Sequence, residues 1–407
     1  MAAIEGNELM LVRGAGVYVW DEHGRRYLDG ASSLWYSNVG HGRPEIAAAI
    51  AGQLAELETF HVFGELTNRP AQALAERLAD LAPQPGSKVF LTSGGGDSIE
   101  TATKLARLYH YVNGEPRRRQ LISRTHGYHG THGIGTSILG LPYKDGFGPL
   151  LEHTSQVAWD SVDALAREID QLGARNIAAF VYEPLIGSGG VLLPPAGYLA
   201  GVQELCRRNG ILTIADIVIT GFGRLGTWLA VERFDLQPDL IVFAKGVTSG
   251  YLPLGGVIVA PSIAAPFWSS NGSTFAHGAT YSGHATCCAA ALANLDLLAQ
   301  DDLVHRARLL EHEFHHRLAA LEGNPLVAQV RGGIGLMAAV ALEPTLLCAH
   351  AHASRHLWHA ARDAGLLTRL IPDGIALAPP LIIERDQLDA AVAAIETALA
   401  RLQHELE

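Results

Sequence analysis

The stretch Ile211–Lys245, ILTIADIVITGFGRLGTWLAVERFDLQPDLIVFAK, decides how the chain is read. It opens with an apolar run that ends at Asp216 and passes through the turn-rich VITGFGRLG. It closes with a second apolar run, LIVFAK, which delivers Lys245 into a glycine-bearing loop. Short apolar runs bounded by turn signals predict buried strands. Open α/β sheets gather their chemistry at the carboxyl ends of such strands. The stretch therefore predicts an acid and an amine leaving neighbouring strand ends together.

That pairing has a chemical use. A lysine kept partly out of water is a nucleophile toward carbonyls and forms a Schiff base, while a nearby carboxylate holds a heterocyclic nitrogen protonated. Pyridoxal phosphate makes both demands and adds a third, donors for its phosphate. Each residue taken alone reads more simply, as a solvated loop lysine and a turn or capping aspartate. The rest of the chain has to decide between these readings.

Ser87–His110, SKVFLTSGGGDSIETATKLARLYH, reads as a strand, a glycine turn and a helix. Free N–H groups at a helix start, with the helix dipole behind them, suit an anion. QLISR at Gln120–Arg124 and NIAAFVYEP at Asn176–Pro184 read as further buried strands. GVYVWDEHGRRYLDG at Gly16–Gly30 alternates like a β-hairpin. Prolines at 44 and 70 predict helix starts, as does the Pro194-Pro195 pair before a helix closed by Asn209-Gly210. From Asp301 onward the pattern changes to a smaller α+β unit. Its strands are expected near Val327–Val330 and Ile334–Ala341, with a helix over Cys348–Ala364 and a last one from Gln387.

These pieces, with GYHGTHG, YEPLIGSGG, HGATYSGH and RLIPDGIALAPP, make the chain resemble the class III aminotransferases, especially the omega-transaminases. The likeness runs from the N-terminal hairpin to the C-terminal helix. It implies the pyridoxal-phosphate type I fold: a large α/β domain with a mainly parallel sheet and a small α+β domain made from both chain ends. The expected bounds are 1–45 and 301–407 for the small domain and 46–300 for the large one. It also implies transamination from an amine or omega-amino acid to a 2-oxo acid such as pyruvate, in two half-reactions through a Lys245 Schiff base.

By the same resemblance Asp216 meets the pyridine nitrogen, Tyr128 and Val218 take opposite ring faces, and His129 and Glu183 support the site. Gly95 and Gly96 lie at the phosphate, which Thr280 of the other subunit in a homodimer also reaches. Trp35 and Tyr36 line the substrate pocket, and Phe60 and Phe63 are read as facing the same site or the partner subunit. Arg369 matches a mobile arginine suited to bidentate carboxylate binding. Several of these have plainer readings: core aromatics at Trp35 and Tyr36, a helix cap at Thr280, a surface salt bridge at Arg369.

Two departures from the family pattern stand out. Where the family usually reads Gly-Ser-Glu-Ala, this chain has Gly95-Gly96-Asp97-Ser98, so a hydroxyl donor is missing and Ser98 is a candidate substitute. Ile217 stands where an acidic residue usually follows the aspartate, harmless if it points into the sheet and a lost polar group if it does not.

Bulk properties narrow the field. A net charge of −11 over 407 residues argues against nucleic acid or an anionic membrane as partner. The N-terminus lacks a signal-peptide pattern and no long apolar run is present, so a cytoplasmic protein is expected. Four cysteines suggest no disulfide framework. His126 and His132 lack the ligand spacing of a metal site, and none is expected. GGGDS and GFGRLG lack the spacing of a dinucleotide fingerprint. The remaining alternatives are a mutase, racemase or decarboxylase on the same cofactor, or a non-catalytic pyridoxal-phosphate binder; dimer versus tetramer stays open. Read from sequence alone, Gly96→Ser should slow cofactor dissociation, and an unchanged rate would count against a missing hydroxyl.

Overall fold

Full burial of successive residues, without alternation, is what a parallel sheet covered on both faces requires. It is what the central strands show. The computed structural model describes residues 8–269 and 271–406; the extreme N-terminal segment expected to carry no leader lies mostly outside them. Seven strands form the central sheet: β1 (Lys88–Thr92), β2 (Gln120–Arg124), β3 (Thr154–Val157), β4 (Ile177–Tyr182), β5 (Leu212–Asp216), β6 (Leu240–Phe243) and β7 (Gly255–Val259). Their order is β1-β7-β6-β5-β4-β2-β3. Only β7 runs antiparallel to its neighbours. Strands β4, β5 and β6 are buried at every position.

The register places the key pair. Asp216 is opposite Val242, and Lys245 follows β6 by two residues, so both side chains emerge at one sheet edge. Helix Gly95–Val112 starts at the same edge and packs across β7, β6 and β4.

The chain ends share a second, four-stranded sheet. The hairpin Tyr18–Asp21 and Arg26–Asp29 gains an outer strand, Leu11–Ala15, and pairs in parallel with Leu366–Leu367. A third sheet contains Val327–Arg331, Ala338–Leu342, Gly374–Leu377 and the edge strand Arg369–Ile371. The strand expected from Ile334 starts only at Ala338, because Gly332, Gly333 and Gly335 take positive φ and keep the preceding segment irregular. The helix expected over Cys348–Ala364 is two, Pro344–Ala349 and Ala353–Asp363, broken at His350–His352.

Arg224 fastens these parts together from within the turn-rich stretch. Its guanidinium is fully buried and donates to Leu336 O (3.1 Å), Ser32 Oγ (3.0 Å), Asn38 Oδ1 (2.9 Å) and Pro379 O (2.5 Å). Burial pushes this group's pKa down to about 9, partly offset by Asp29. The contacts join the N-terminal loop, the 336 loop and the 379 loop to the edge that bears Lys245. Removing a partner from such a buried polar network leaves the other groups unpaired. Arg224→Ala is expected to destabilise the fold by about 3–5 kcal/mol, read as a lowered Tm in thermal unfolding; an unchanged Tm would contradict this role.

Candidate active site

Lys245 sits where its backbone is forced. Its φ is +49°, a left-handed value that non-glycine residues rarely adopt without support. The support comes from Asn294, whose amide donates to Gly246 O and Val247 O, both at 2.9 Å. The amine projects into a cleft of about 270 Å³ lined also by Asp216, Tyr128, Glu183, Val218 and the Gly95-Gly96 turn. Burial is the largest influence on it, and Asp216 and Glu183 oppose that effect, so its pKa falls to about 8. The chain has four lysines. Lys88 and Lys104 are exposed and Lys144 donates to Leu139 O, which leaves Lys245 as the one amine in the cleft.

Asp216 is held on both oxygens. Oδ2 lies 2.8 Å from His129 Nδ1, and Oδ1 accepts from Val218 N–H at 3.0 Å. His129 is buried, and its Nε2 has no partner among the described residues. Glu183 braces the opposite wall: Oε1 accepts from Tyr128 N–H (3.0 Å) and Oε2 from Gly187 N–H (2.9 Å). Glu183 therefore ties the loop that carries Tyr128 to the glycine-rich turn after itself. Burial raises its pKa, with His129 and the two N–H donors pulling the other way.

The cleft has the polarity of a flat, charged heterocycle with an anionic tail. Tyr128 offers a half-buried aromatic face and Val218 a branched aliphatic one. A Cβ at Gly95 would come within 3.2 Å of both Val218 methyl groups, so this turn packs directly under Val218. The amides of Gly95, Gly96 and Asp97 precede the first hydrogen-bonded amide of the helix, Ser98 N–H to Gly94 O (3.0 Å). They remain available to an anion. Carboxylate, amine, aromatic face and free amides together fit pyridoxal phosphate. Among the described residues no group of three His, Cys, Asp or Glu is arranged to hold a metal ion.

The other expected residues fall outside this set. Trp35 is only 1% exposed and belongs to the hydrophobic core, so it is not a pocket residue. Tyr36 packs its ring on Gly250 and engages Ser33 Oγ through its hydroxyl (2.6 Å). Leu34 lines the cleft instead. The reason is local: Ser32, Ser33 and Trp35 all have positive φ, which reverses the facing expected of an extended loop. No composition signal marks that reversal. Phe60 and Phe63 are largely exposed, and Phe63 lines a different groove, of about 400 Å³, with His277 and Gly278. Thr280 is exposed and not among the residues lining the Lys245 cleft, and it does not cap the helix Ala285–Gln300, whose start has no side-chain cap.

Arg369 is the first residue of an edge strand rather than part of a loop, with its side chain exposed. It has no ion-pair partner within 4.0 Å among the described residues, which removes the salt-bridge reading, and its charge is felt by both Lys245 and Tyr128. Ile217 is fully buried in the core, so the second departure from the family pattern is structurally harmless. Ser98 is also fully buried. Its hydroxyl is occupied by Thr92 Oγ1 (2.7 Å) and Gly94 O (2.8 Å), so it cannot substitute for the missing hydroxyl at 96.

Comparison with known proteins gives the same picture. The sequence profile described as aminotransferase class-III matches residues 1–399. A putrescine–pyruvate aminotransferase of Pseudomonas aeruginosa is 33% identical over 94% of this chain and 88% of its own. A thermostable (S)-enantioselective omega-transaminase from Thermomicrobium roseum superposes with a TM-score of 0.94 at 39% identity, covering 98% of this chain and 94% of its own. An amine transaminase from an uncultivated Pseudomonas species, solved in its PLP-bound form, does so with a TM-score of 0.93 at 38% identity, covering 98% and 96%.

The bracing by Glu183 is open to measurement. Glu183→Gln turns an amide toward one of two backbone N–H groups and leaves it unpaired, a cost of about 1–3 kcal/mol. Amide hydrogen exchange at Tyr128 or Gly187 should accelerate accordingly. Unchanged protection at both would show that the carboxylate does not hold this wall.

Proposed function

The chain belongs to the class-III aminotransferase family and catalyses pyridoxal-phosphate-dependent transamination between amines and 2-oxo acids; within that reaction we propose the following roles for its residues. The observation that carries the assignment is the single cleft lysine, partly desolvated and set beside a carboxylate fixed on both oxygens. Pyridoxal phosphate, when bound, supplies an aldehyde for the amino group and a ring that draws electrons from the substrate carbon. Lys245 is the amine that anchors this aldehyde. With its amine free, Lys245 would carry a proton from the substrate carbon as general base and return it as general acid.

Asp216 offers its carboxylate to the ring nitrogen and keeps that nitrogen protonated. His129 is a positioning residue, because its contact is with Asp216 Oδ2. Tyr128 and Val218 pack the two ring faces, and the amides at Gly95 and Gly96 take the phosphate. Arg369, exposed and unpaired among the described residues, takes the carboxylate of the 2-oxo acid and turns aside for an uncharged amine. Pyruvate, named as the acceptor of the putrescine–pyruvate relative, is the acceptor of this reading. Leu34 and Ile219 give the substrate side an apolar wall.

The working form is a homodimer in the cytoplasm. Phe60, Phe63, Leu66 and Tyr281 leave large apolar side chains exposed around the segment that bears Thr280. A second copy covering them would bring Thr280 to the phosphate of its neighbour's site. No helix among the described residues is long and apolar enough to cross a membrane.

The decisive experiment follows both products. With an amine donor and pyruvate, the holoenzyme should release the ketone or aldehyde and alanine in equal amounts, and Lys245→Ala should abolish turnover. Carbon dioxide release or racemised donor without alanine would move the chain to another reaction on the same cofactor. The pH dependence has a definite sign. Lys245 is neutral above about 8, so cofactor capture by the apoprotein should speed up as pH rises through that value and then level off. A rate still climbing near the ordinary lysine range of about 10.4 would contradict a desolvated amine.

A further inference from the structure

At position 96 the helix start whose amides take the cofactor phosphate offers backbone alone, because no side chain exists there. The space a side chain would use there is filled from another segment. An ideal Cβ on Gly96 would lie 3.0 Å from His132 Cε1 and 3.1 Å from each of its ring nitrogens. The imidazole of His132 thus stands where the side chain at 96 would begin, and it lines the same cleft as Lys245.

The placement is built rather than incidental. Gly130 has φ +88° and would bring a Cβ within 3.2 Å of Gly96 Cα, so the loop and the helix start are in backbone contact. One turn further along that helix, Glu100 Oε1 accepts from Ile134 N–H at 2.6 Å and clamps the residues just after His132. The ring also faces Asp97: Nδ1 lies 3.4 Å from Oδ1. An imidazole nitrogen carrying hydrogen is a donor for an anion at this helix start.

We propose that His132 is a phosphate-binding residue, supplying from the loop the side-chain donor that Gly96 lacks. This rests on the cofactor reading above. It also reverses the expectation from sequence for Gly96→Ser: with His132 present, the added atoms meet the ring and do not tighten cofactor binding.

Four holoenzymes test it: His132→Ala, His132→Gln, Gly96→Ser and the double variant Gly96→Ser with His132→Ala. Cofactor release is followed after gel filtration, and the phosphorus-31 resonance of the bound phosphate reports its surroundings without any turnover. Loss of a charge-assisted bond should speed release from His132→Ala by about ten-fold or more and move the resonance. His132→Gln, which keeps a donor, should recover part of the loss. The double variant should hold the cofactor better than His132→Ala, because the serine hydroxyl then has room; such non-additivity is the mark of two residues sharing one place. Release from His132→Ala within about two-fold of the parent, or effects that simply add, would overturn the proposal. Should the parent itself retain no pyridoxal phosphate, the cofactor reading fails instead.

Discussion

The parallel pairing of β5 with β6 is the constraint on which the rest depends. It brings a carboxylate and an amine to one sheet edge, and the surrounding core removes much of the water that would otherwise solvate them. An isolated buried charge is costly, and partners or a changed protonation state have to relieve that cost. Both kinds of relief are present. Asp216 is tied to His129 and to Val218 N–H, while the Lys245 amine is shifted toward its neutral form. An amine that gives up its proton more readily than an ordinary lysine, beside a fixed carboxylate, is the combination that a carbonyl-bearing, basic heterocycle needs. The chemistry therefore follows from topology and burial together.

Around that edge the fold spends much of its polar bonding on holding loops still. Asn294 fixes the turn after Lys245, Glu183 fixes the wall that carries Tyr128, and Arg224 links the two small sheets' loops to the same edge. These groups touch no reacting atom. They act by restricting the positions of those that do, since small misplacements of reacting groups are costly in rate. The result is a braced floor and wall, with Arg369 exposed, without an ion-pair partner among the described residues, and near enough for its charge to act on Lys245.

What the sequence disclosed and what it hid divide along physical lines. Strands β4 to β6, the glycine turn before helix Gly95–Val112 and the pair Asp216 and Lys245 were legible, because burial and chain reversal leave strong marks on residue choice. Facing within irregular loops was not. Trp35 and Leu34 exchange roles through three positive φ values that no residue type there announces. His132 was read only as half of an unconvincing metal pair, because its partner, the empty place at Gly96, lies thirty-six positions away and is visible only in three dimensions. The fate of Ile217 and Ser98 was likewise a question of direction, and both point inward.

The most direct test of the central claim is to reduce the holoenzyme with borohydride and identify by mass spectrometry which lysine carries the cofactor. Lys245 is the predicted site, at close to one label per chain and with no label on Lys88, Lys104 or Lys144. A label on any of those three, or a reduced protein with its cofactor attached to no lysine, would contradict the account.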